Sequence, residues 1–331
     1  MTASTLTQVA PKASFPYQVI ALDLDGTLLN NDHRLSRRTI QGLRALHHQG
    51  LRIIFCTGRA ITTVYEHIQA LDLPQLYVVC SNGAAAFDCR LQDGKVEAQP
   101  LFVHTVPAAV ARATIELAMQ HNQVTQYYVN DEIYAHPVTD EQYALTAEYR
   151  RLTGSQTIYV TPKDNDSTNN TQQWMDDLLA RGYPTKQLVL FPAQDQDETM
   201  QRFAAKLASP ELLQDGQPAT LVRGSLGWFL EVLPAGVHKG AGLLRLCKEH
   251  LNTPISRVVA FGDGDNDIEF LQMAGWAVVM KNGRQVVKDL ADQITQYTND
   301  EDGVIRTLHD LQAQGWLDTN QALSPLVAAQ E

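Results

Sequence analysis

Short apolar runs alternate with amphipathic segments at both ends of the chain. The apolar runs lie at 17–22, 52–56, 77–80, 257–261 and 276–280, and most of them stop at Asp, Thr, Ser or Gly. Continuous apolar runs of this length are typical of strands buried in a parallel sheet, whereas the segments between them have helical spacing. This alternation predicts an α/β fold with a Rossmann-like parallel sheet flanked by helices. The helices are predicted at 36–49, 60–71, 240–250, 267–273, 284–290 and 301–311.

The middle of the chain breaks this rhythm. Residues 85–101 predict a hairpin around the turn sequence Gln92-Asp93-Gly94, and further short elements follow. Strands are predicted at 126–129, 133–135, 187–191, 219–222 and 228–232, and helices at 107–120, 140–152, 171–180 and 198–207. We therefore expect an inserted α+β cap domain over 85–234, which splits a core domain into 17–84 and 235–315. Residues 1–16 and 316–331 are expected to be tails.

The composition excludes several classes of protein. The 331 residues are 44% hydrophobic and 19% charged, which is ordinary for a globular chain of about two domains. The net charge of −11 disfavours nucleic-acid binding, because an acidic surface repels a phosphate backbone. No apolar run approaches the length of about 18 residues that a membrane helix needs. The first 16 residues lack the apolar segment of a secretory signal.

The cysteines indicate the compartment. The chain contains four of them, Cys56, Cys80, Cys89 and Cys247, and none forms a C-x-x-C pair. This spacing argues against a zinc or redox site. Cys56, Cys80 and Cys247 have apolar neighbours, which is typical of buried thiols. We therefore expect a reducing compartment and a cytoplasmic protein.

Two carboxylates follow the first predicted strand directly, in the sequence Asp23-Leu24-Asp25-Gly26-Thr27. Ligand sites of open α/β sheets lie at the carboxyl ends of the strands, so both side chains can point into one crevice. One carboxylate can then act as a nucleophile and the other as a proton donor, provided that their pKa values differ. The alternative is a surface turn rich in Asp and Gly.

Two further positions favour phosphate binding. Thr57-Gly58-Arg59 ends the second strand, where a hydroxyl can hydrogen-bond a phosphate oxygen or simply cap the next helix. Lys239 opens a predicted helix, where a positive charge opposes the helix dipole unless it meets an anion. The alternative for Lys239 is a solvated surface lysine.

An acidic loop, Gly262-Asp-Gly-Asp-Asn-Asp267, ends the strand at 257–261. Clustered carboxylates near two others need a counter-charge, and Mg²⁺ with oxygen ligands is the usual choice beside phosphate. A calcium loop of the EF-hand type is disfavoured, because the twelfth position counted from Asp263 is Ala274 rather than Glu.

Taken in order, these four motifs resemble those of the haloacid dehalogenase superfamily. Ser81-Asn82-Gly83-Ala84, Glu231-Val-Leu-Pro before Lys239 and Glu301-Asp-Gly-Val304 narrow the resemblance to the Cof-type phosphatases. That group carries an α/β cap between its second and third motifs, and the resemblance covers about 17–311. Lys281-Asn282-Gly283 departs from the Gly-Asn-Ala of many relatives.

The resemblance implies roles for individual residues. Asp23 resembles the nucleophile that forms an aspartyl-phosphate, and Asp25 the general acid and base. The residues implied in phosphate binding are Thr57, Gly58, Lys239, Asn266, Asn82 and Gly83. The residues implied in Mg²⁺ binding are Asp23, Asp25 through its backbone carbonyl, Asp263, and Asp267 as a ligand or a support for the ligands.

The function expected is that of a Mg²⁺-dependent phosphatase of small phosphorylated metabolites. Sugar phosphates come first, and flavin mononucleotide (FMN) or pyridoxal phosphate are the other expected substrates. The alternatives are a sugar phosphomutase on the same core and a non-catalytic regulatory protein that binds a phosphorylated ligand. No nucleic acid, membrane or particular partner protein is predicted. Cap aromatic residues that could face the cleft are Tyr127, Tyr128, Trp174 and Trp228.

Overall fold

The computed structural model describes residues 16–130, 132–160, 170–224 and 227–319. Most of the expected tails, 1–16 and 316–331, lie outside the described residues. So does most of the polar segment 163–170, for which the sequence predicts a loop. The described chain forms an eight-stranded sheet and a six-stranded sheet.

The predicted elements are confirmed with small changes at their ends. The strands are β1 Val19–Leu22, β2 Arg52–Cys56, β3 Leu76–Cys80, β4 Ala85–Gln92, β5 Lys95–Val103, β6 Val124–Val129, β7 Glu132–Ala135, β8 Thr157–Tyr159, β9 Lys186–Leu190, β10 Thr220–Arg223, β11 Phe229–Leu233, β12 Val258–Gly262, β13 Trp276–Val279 and β14 Gln293–Ile294. The helices are α1 Arg37–His48, α2 Tyr65–Leu71, α3 Ala108–Gln120, α4 Asp140–Thr153, α5 Asn170–Ala180, α6 Gln196–Leu207, α7 Lys239–Arg245, α8 Ile268–Met273, α9 Gln285–Lys288 and α10 Gly303–Ala313. The sequence did not predict β8 or β14, which are short and partly exposed.

The larger sheet is the predicted core. Its strand order is β14-β13-β12-β1-β2-β3-β4-β5, and the strands from β14 to β3 are parallel. Ile20 and Leu22 of β1 pack on one face against α1 and α10, while Val19 and Ala21 pack on the other face against α7 and α8. All four residues of β1 are buried, which explains its continuous apolar run.

The hairpin of β4 and β5 belongs to the core sheet. β4 pairs antiparallel with β3, with Cys80 opposite Ala85, and β5 pairs with β4 as the edge strand. We expected the inserted cap to begin at residue 85, but the buried residues of β4 extend the core sheet instead. The second sheet begins only at β6.

The smaller sheet forms the cap. Its strand order is β10-β11-β9-β6-β7-β8. One face packs against α3, α5 and α6 through a cluster that includes Tyr127, Trp174 and Phe203. The other face carries Tyr128 and Leu188 and packs with Tyr149 of α4. This second face is the one that lines the cavity described below.

Residues 316–319 pack against the core, although we expected a tail from 316 onwards. The backbone N–H of Tyr17 donates to the carbonyl of Trp316 over 2.8 Å. The Trp316 ring meets the Trp276 ring edge-on, with 4.8 Å between centroids. Leu317 is 4% exposed. The apolar side chains of this short segment therefore cover the N-terminal ends of β1 and β13.

All four cysteines are buried thiols outside any disulfide, as predicted for Cys56, Cys80 and Cys247. Among the described residues, no helix combines the length and the apolar character that crossing a membrane requires.

Candidate active site

The carboxyl ends of three neighbouring core strands form the floor of the site. β1 lies between β2 and β12, so the residues that follow these strands are adjacent in space. Asp23 follows β1, Thr57 follows β2 and Asp263 follows β12. The apolar runs end here because the strands leave the core, and ligands of open α/β sheets bind at this position.

Gly26 lets the chain turn sharply after β1. Its φ is +78°, and a Cβ at this position would lie 2.4 Å from Oδ2 of Asp263. The hydroxyl of Thr27 donates a hydrogen bond of 2.8 Å to Oδ1 of Asp263. The turn therefore holds Asp23 and Asp25 against the acidic loop that follows β12.

Lys239 is a buried cation between two carboxylates. It is the first residue of α7 and is 1% exposed. Its Nζ donates to Oδ1 of Asp23 over 2.6 Å and to Oδ1 of Asp267 over 2.7 Å. Burial alone would lower the pKa of Lys239, but the two carboxylates outweigh it and raise this pKa. These anions explain a lysine at a helix start.

Three carboxylates beside Lys239 could hold a metal ion. One oxygen each from Asp23, Asp263 and Asp267 lie within 4.8 Å of one another. Burial raises the pKa of Asp23 well above its usual value, and nearby carboxylates add to this while Lys239 opposes it. Burial, with the charge of Asp267, raises the pKa of Asp263 to about 6. Crowded carboxylates of this kind fit a hard divalent cation, which would favour their ionised forms.

Both oxygens of Asp267 are engaged by protein groups. Oδ1 accepts from Lys239, while Oδ2 accepts from the backbone N–H of Asp263 over 2.9 Å and of Gly264 over 3.0 Å. These bonds fix the loop that carries Asp263. They suit a residue that supports the metal ligands, which is one of the two roles that the resemblance implies for Asp267.

Asp25 is paired with two groups that the sequence did not assign to the site. Arg59 donates from Nε and Nη2 to the Asp25 carboxylate over 2.7 Å and 2.6 Å, and Nδ1 of His33 lies 3.1 Å from Oδ1. Burial would raise the pKa of Asp25, but the bonds and charges of Arg59 and His33 lower it below its usual value. Arg59 stands in the Thr57 motif, although nothing in the sequence indicates its partner.

Most other predicted residues either line the cavity above this floor or support it. Thr57, Gly58 and Asn266 line the cavity together with Asp23 and Asp263. The hydroxyl oxygen of Thr57 accepts a hydrogen bond from the backbone N–H of Arg59 over 3.1 Å. The hydroxyl can still donate its own hydrogen to another group. The structure thus brings these polar groups to the same cavity as the Asp23 carboxylate.

Asn82 and Gly83 lie behind the cavity wall. A Cβ at Gly83 would lie 2.2 Å from the carbonyl oxygen of His238, so only glycine allows this approach to the start of α7. The amide oxygen of Asn82 accepts from Nδ2 of Asn266 over 3.1 Å. Both residues therefore position groups of the site from outside the cavity.

The cap contributes a buried ion pair to the same region. Nζ of Lys186 on β9 donates to Oε2 of Glu231 on β11 over 3.1 Å and to the carbonyl oxygen of Gly58 over 2.6 Å. Oε2 of Glu231 also accepts from Nδ2 of Asn82 over 2.9 Å. No role was expected for Lys186 from the sequence, and Glu231 was named there only as part of a family motif.

A cavity of about 430 Å³ lies between the core and the cap. Its core side is polar, and its cap side is lined by Tyr128, Ile133, Tyr149, Leu152, Thr153, Ser155, Trp228, Phe229 and Glu231. Of the four aromatic candidates, Tyr128 and Trp228 line this cavity. Tyr127 and Trp174 instead pack in the apolar cluster on the far face of the cap sheet.

The chain matches the family of haloacid dehalogenase-like hydrolases over residues 20–308. One relative is the 5-amino-6-(5-phospho-D-ribitylamino)uracil phosphatase YitU of Bacillus subtilis, which is 28% identical over 89% of this chain and 97% of its own. Another is the HMP-PP phosphatase of Serratia proteamaculans, which is 27% identical over 84% of this chain and 89% of its own.

The fold has close counterparts among solved structures. A haloacid dehalogenase-like hydrolase from B. subtilis superposes with a TM-score of 0.70 at 25% identity, over 89% of this chain and 99% of that one. The match includes both the core and the cap, because it spans nearly the whole of each chain.

Proposed function

Because this chain belongs to the haloacid dehalogenase-like hydrolases of the Cof type, which act on phosphoric monoesters, we propose that it is a Mg²⁺-dependent phosphatase with Asp23 as its nucleophile. The observation that carries the proposal is the pairing of Asp23 with the buried Lys239 at the floor of the cavity. Lys239 opposes the rise in the pKa of Asp23 that burial causes, and so favours the ionised carboxylate, which is the form that can attack phosphorus.

The first step transfers the phosphoryl group to the protein. A carboxylate oxygen of Asp23 forms a bond to phosphorus while the bond from phosphorus to the ester oxygen breaks. Asp25 acts from its protonated form, which Arg59 and His33 deplete, and gives its proton to that leaving oxygen, so the alcohol departs neutral. Thr57 and Asn266 hold oxygens of the phosphoryl group, because both line the cavity beside Asp23.

The second step releases phosphate. Asp25, now a carboxylate, takes a proton from a water molecule whose oxygen attacks phosphorus. The bond between phosphorus and the Asp23 oxygen breaks, which restores the Asp23 carboxylate and the protonated Asp25. One water molecule is consumed and one phosphate is released, so the enzyme returns to its starting state.

The residues that would hold Mg²⁺ are Asp23, Asp263 and the backbone carbonyl of Asp25, with Asp267 as their support. When bound, the ion offsets the repulsion between the Asp23 carboxylate and an anionic phosphate ester. The donor set fits, because it consists of hard oxygen atoms in a largely buried carboxylate cluster, in which the pKa values of Asp23 and Asp263 are raised.

The two relatives support small phosphorylated compounds as the substrate class. Their names denote phosphatases of two different compounds, so the family chemistry is compatible with different leaving groups. Within this class the sequence favours sugar phosphates first, with FMN and pyridoxal phosphate after them.

The test is phosphate release from a panel of phosphorylated sugars, nucleotides and cofactors, with Mg²⁺ and with a chelator. Asp23→Asn should lower kcat by about a thousandfold or more, because the nucleophile is lost. Asp93→Asn is the matched control, since Asp93 is an exposed residue of the β4–β5 turn. Full activity of Asp23→Asn, or release unaffected by the chelator, would contradict the proposal. An isomerised sugar phosphate without net release would indicate the phosphomutase.

A further inference from the structure

Three aromatic side chains form one wall of the cavity on the cap side. We call Tyr149, Trp228 and Phe229 the aromatic cluster. Their rings meet edge to face, with centroids 5.6 Å apart for Tyr149–Phe229 and Trp228–Phe229 and 6.0 Å apart for Tyr149–Trp228. Trp228 and Phe229 are only half-buried, so part of each ring is available to a molecule in the cavity. Ile133 and Leu152 extend the apolar wall.

The hydroxyl groups on this side are already hydrogen-bonded within the protein. The hydroxyls of Thr153 and Ser155 bond to each other over 2.7 Å, and Thr153 also donates to the carbonyl oxygen of Tyr149 over 2.8 Å. The hydroxyls of Tyr128 and Tyr149 bond to each other, and that of Tyr128 also reaches Gln126. A bound sugar would have to break these internal hydrogen bonds before its own hydroxyl groups could bond to the same protein groups.

The carboxylate of Glu231 on the cap is also hydrogen-bonded within the protein, through its Oε2. Glu231 lines the cavity, but its Oε2 accepts from both Lys186 and Asn82. The cavity therefore has a polar end at Asp23 and an apolar, aromatic end at the cluster. A substrate that matches both ends carries a phosphate on one side and a flat apolar ring on the other.

We propose that the cap selects phosphate monoesters whose leaving alcohol carries a planar aromatic ring, and that the aromatic cluster binds this ring. The proposal rests on the phosphatase function proposed above and narrows its substrate class. It places aromatic substrates ahead of sugar phosphates, in contrast to the order expected from the sequence. The ring stacks on or meets the edge of Trp228 and Phe229, while the phosphate lies at Asp23.

Three esters isolate the chemistry of the ring. Benzyl phosphate, cyclohexylmethyl phosphate and glucose 6-phosphate each join a six-membered ring to phosphate through one CH₂ group. The first ring is aromatic and flat, the second is apolar and puckered, and the third carries hydroxyls. We expect kcat/KM for benzyl phosphate to exceed that for glucose 6-phosphate by about tenfold or more. Cyclohexylmethyl phosphate should lie between them.

Variants of Trp228 test the cluster directly. Trp228→Ala should lower the ratio of kcat/KM for benzyl phosphate to that for glucose 6-phosphate by about tenfold. Trp228→Phe should keep most of the ratio, because it retains an aromatic ring. Tyr183→Ala is the control, since Tyr183 is an aromatic residue of the cap that is 54% exposed and does not line this cavity.

Two results overturn the proposal while leaving the phosphatase intact. One is hydrolysis of glucose 6-phosphate as efficient as that of benzyl phosphate, and the other is a ratio that Trp228→Ala does not change. Phosphate release neither from these three esters nor from any compound of the wider panel would overturn the phosphatase function itself. In that case, calorimetric titration of Asp23→Asn with these esters tests whether the aromatic cluster binds the ring, because it measures binding without turnover. Tighter binding of benzyl phosphate than of glucose 6-phosphate supports the site, and equal binding overturns it.

Discussion

Lys186 of the cap donates a hydrogen bond of 2.6 Å from Nζ to the backbone carbonyl of Gly58 in the core. Gly58 follows Thr57 in the loop that lines the cavity, so a fully buried cap lysine holds a loop of the site. Burial would lower the pKa of Lys186, but the charge of Glu231 outweighs it and raises this pKa. The lysine therefore stays charged and tied to both domains.

Lys186→Met should destabilise the protein and slow catalysis. The change leaves Glu231 as a buried charge without its cation, which costs about 3–5 kcal/mol in the free energy of unfolding. Urea unfolding measures this cost. A matched double variant, Lys186→Met with Glu231→Gln, removes the charge but keeps an acceptor for Asn82, so it should recover much of the stability.

The same pair of variants separates stability from positioning. Because neither restores the bond to the Gly58 carbonyl, kcat should stay low in the double variant although its stability recovers. Native kcat in Lys186→Met, or additive stability effects in the two single changes, would show that the ion pair does not couple cap and core in this way.

Arg59→Met should shift the pH profile of kcat/KM. Arg59 helps to keep the pKa of Asp25 below its usual value, which depletes the protonated form that acts as the acid. Removal of the guanidinium raises this pKa, so the decline of kcat/KM that follows deprotonation of Asp25 should move to higher pH. The profile is measured at saturating Mg²⁺, with Arg202→Met, which breaks a surface pair with Glu198, as control. An unmoved profile would contradict this role for Arg59.

His67→Gln should flatten the dependence of stability on pH. His67 is 3% exposed, and burial lowers its pKa below the usual value near 6.5. A lowered histidine pKa means that the unfolded chain takes up a proton that the folded chain resists. The stability that neutral His67 contributes is therefore present above pH about 6.5 and is lost as the pH falls.

The test compares urea midpoints at pH 8 and at about pH 5.5, which lie on either side of that pKa. The two midpoints should differ more in the native protein than in His67→Gln. The exposed His121, changed to Gln, serves as control, and an equal difference in all three proteins would refute the assignment.

Leu317→Ala should lower the free energy of unfolding by about 2 kcal/mol or more, because it opens a cavity against the core. Val138→Ala, a change at a side chain that is 63% exposed, should have little effect. Urea unfolding compares the two. Equal small effects would mean that the segment after α10 adds no stability.

The sequence predicted β1, β2, β3, β12 and β13 well because these parallel strands lie inside the sheet and carry continuous apolar runs. Asp23, Thr57 and Asp263 were found for the same reason, since each follows such a run directly. The sequence missed the parallel strand β14, which is short and partly exposed. The order of the family motifs added Lys239. Local pattern and motif order were thus enough for the floor of the site.

Features that depend on distant pairing escaped the sequence. The hairpin at β4 and β5 has the pattern of any hairpin, and only its bonds to β3 make it part of the core sheet. Lys186 meets Gly58 across 128 positions, which depends on how the cap contacts the core. Arg59 and Asp25 are 34 positions apart and follow different strands.

The role of Asp23 as a covalent nucleophile can be tested by a search for a phosphoryl group bound to its side chain. The protein is mixed with an efficiently hydrolysed ester and Mg²⁺, quenched with acid during the first turnover, digested and analysed by mass spectrometry. We expect a phosphoryl group on the peptide that contains Asp23, absent without Mg²⁺ and absent in Asp23→Asn. Turnover with no phosphorylated peptide, or with the phosphoryl group on another residue, would contradict this role of Asp23.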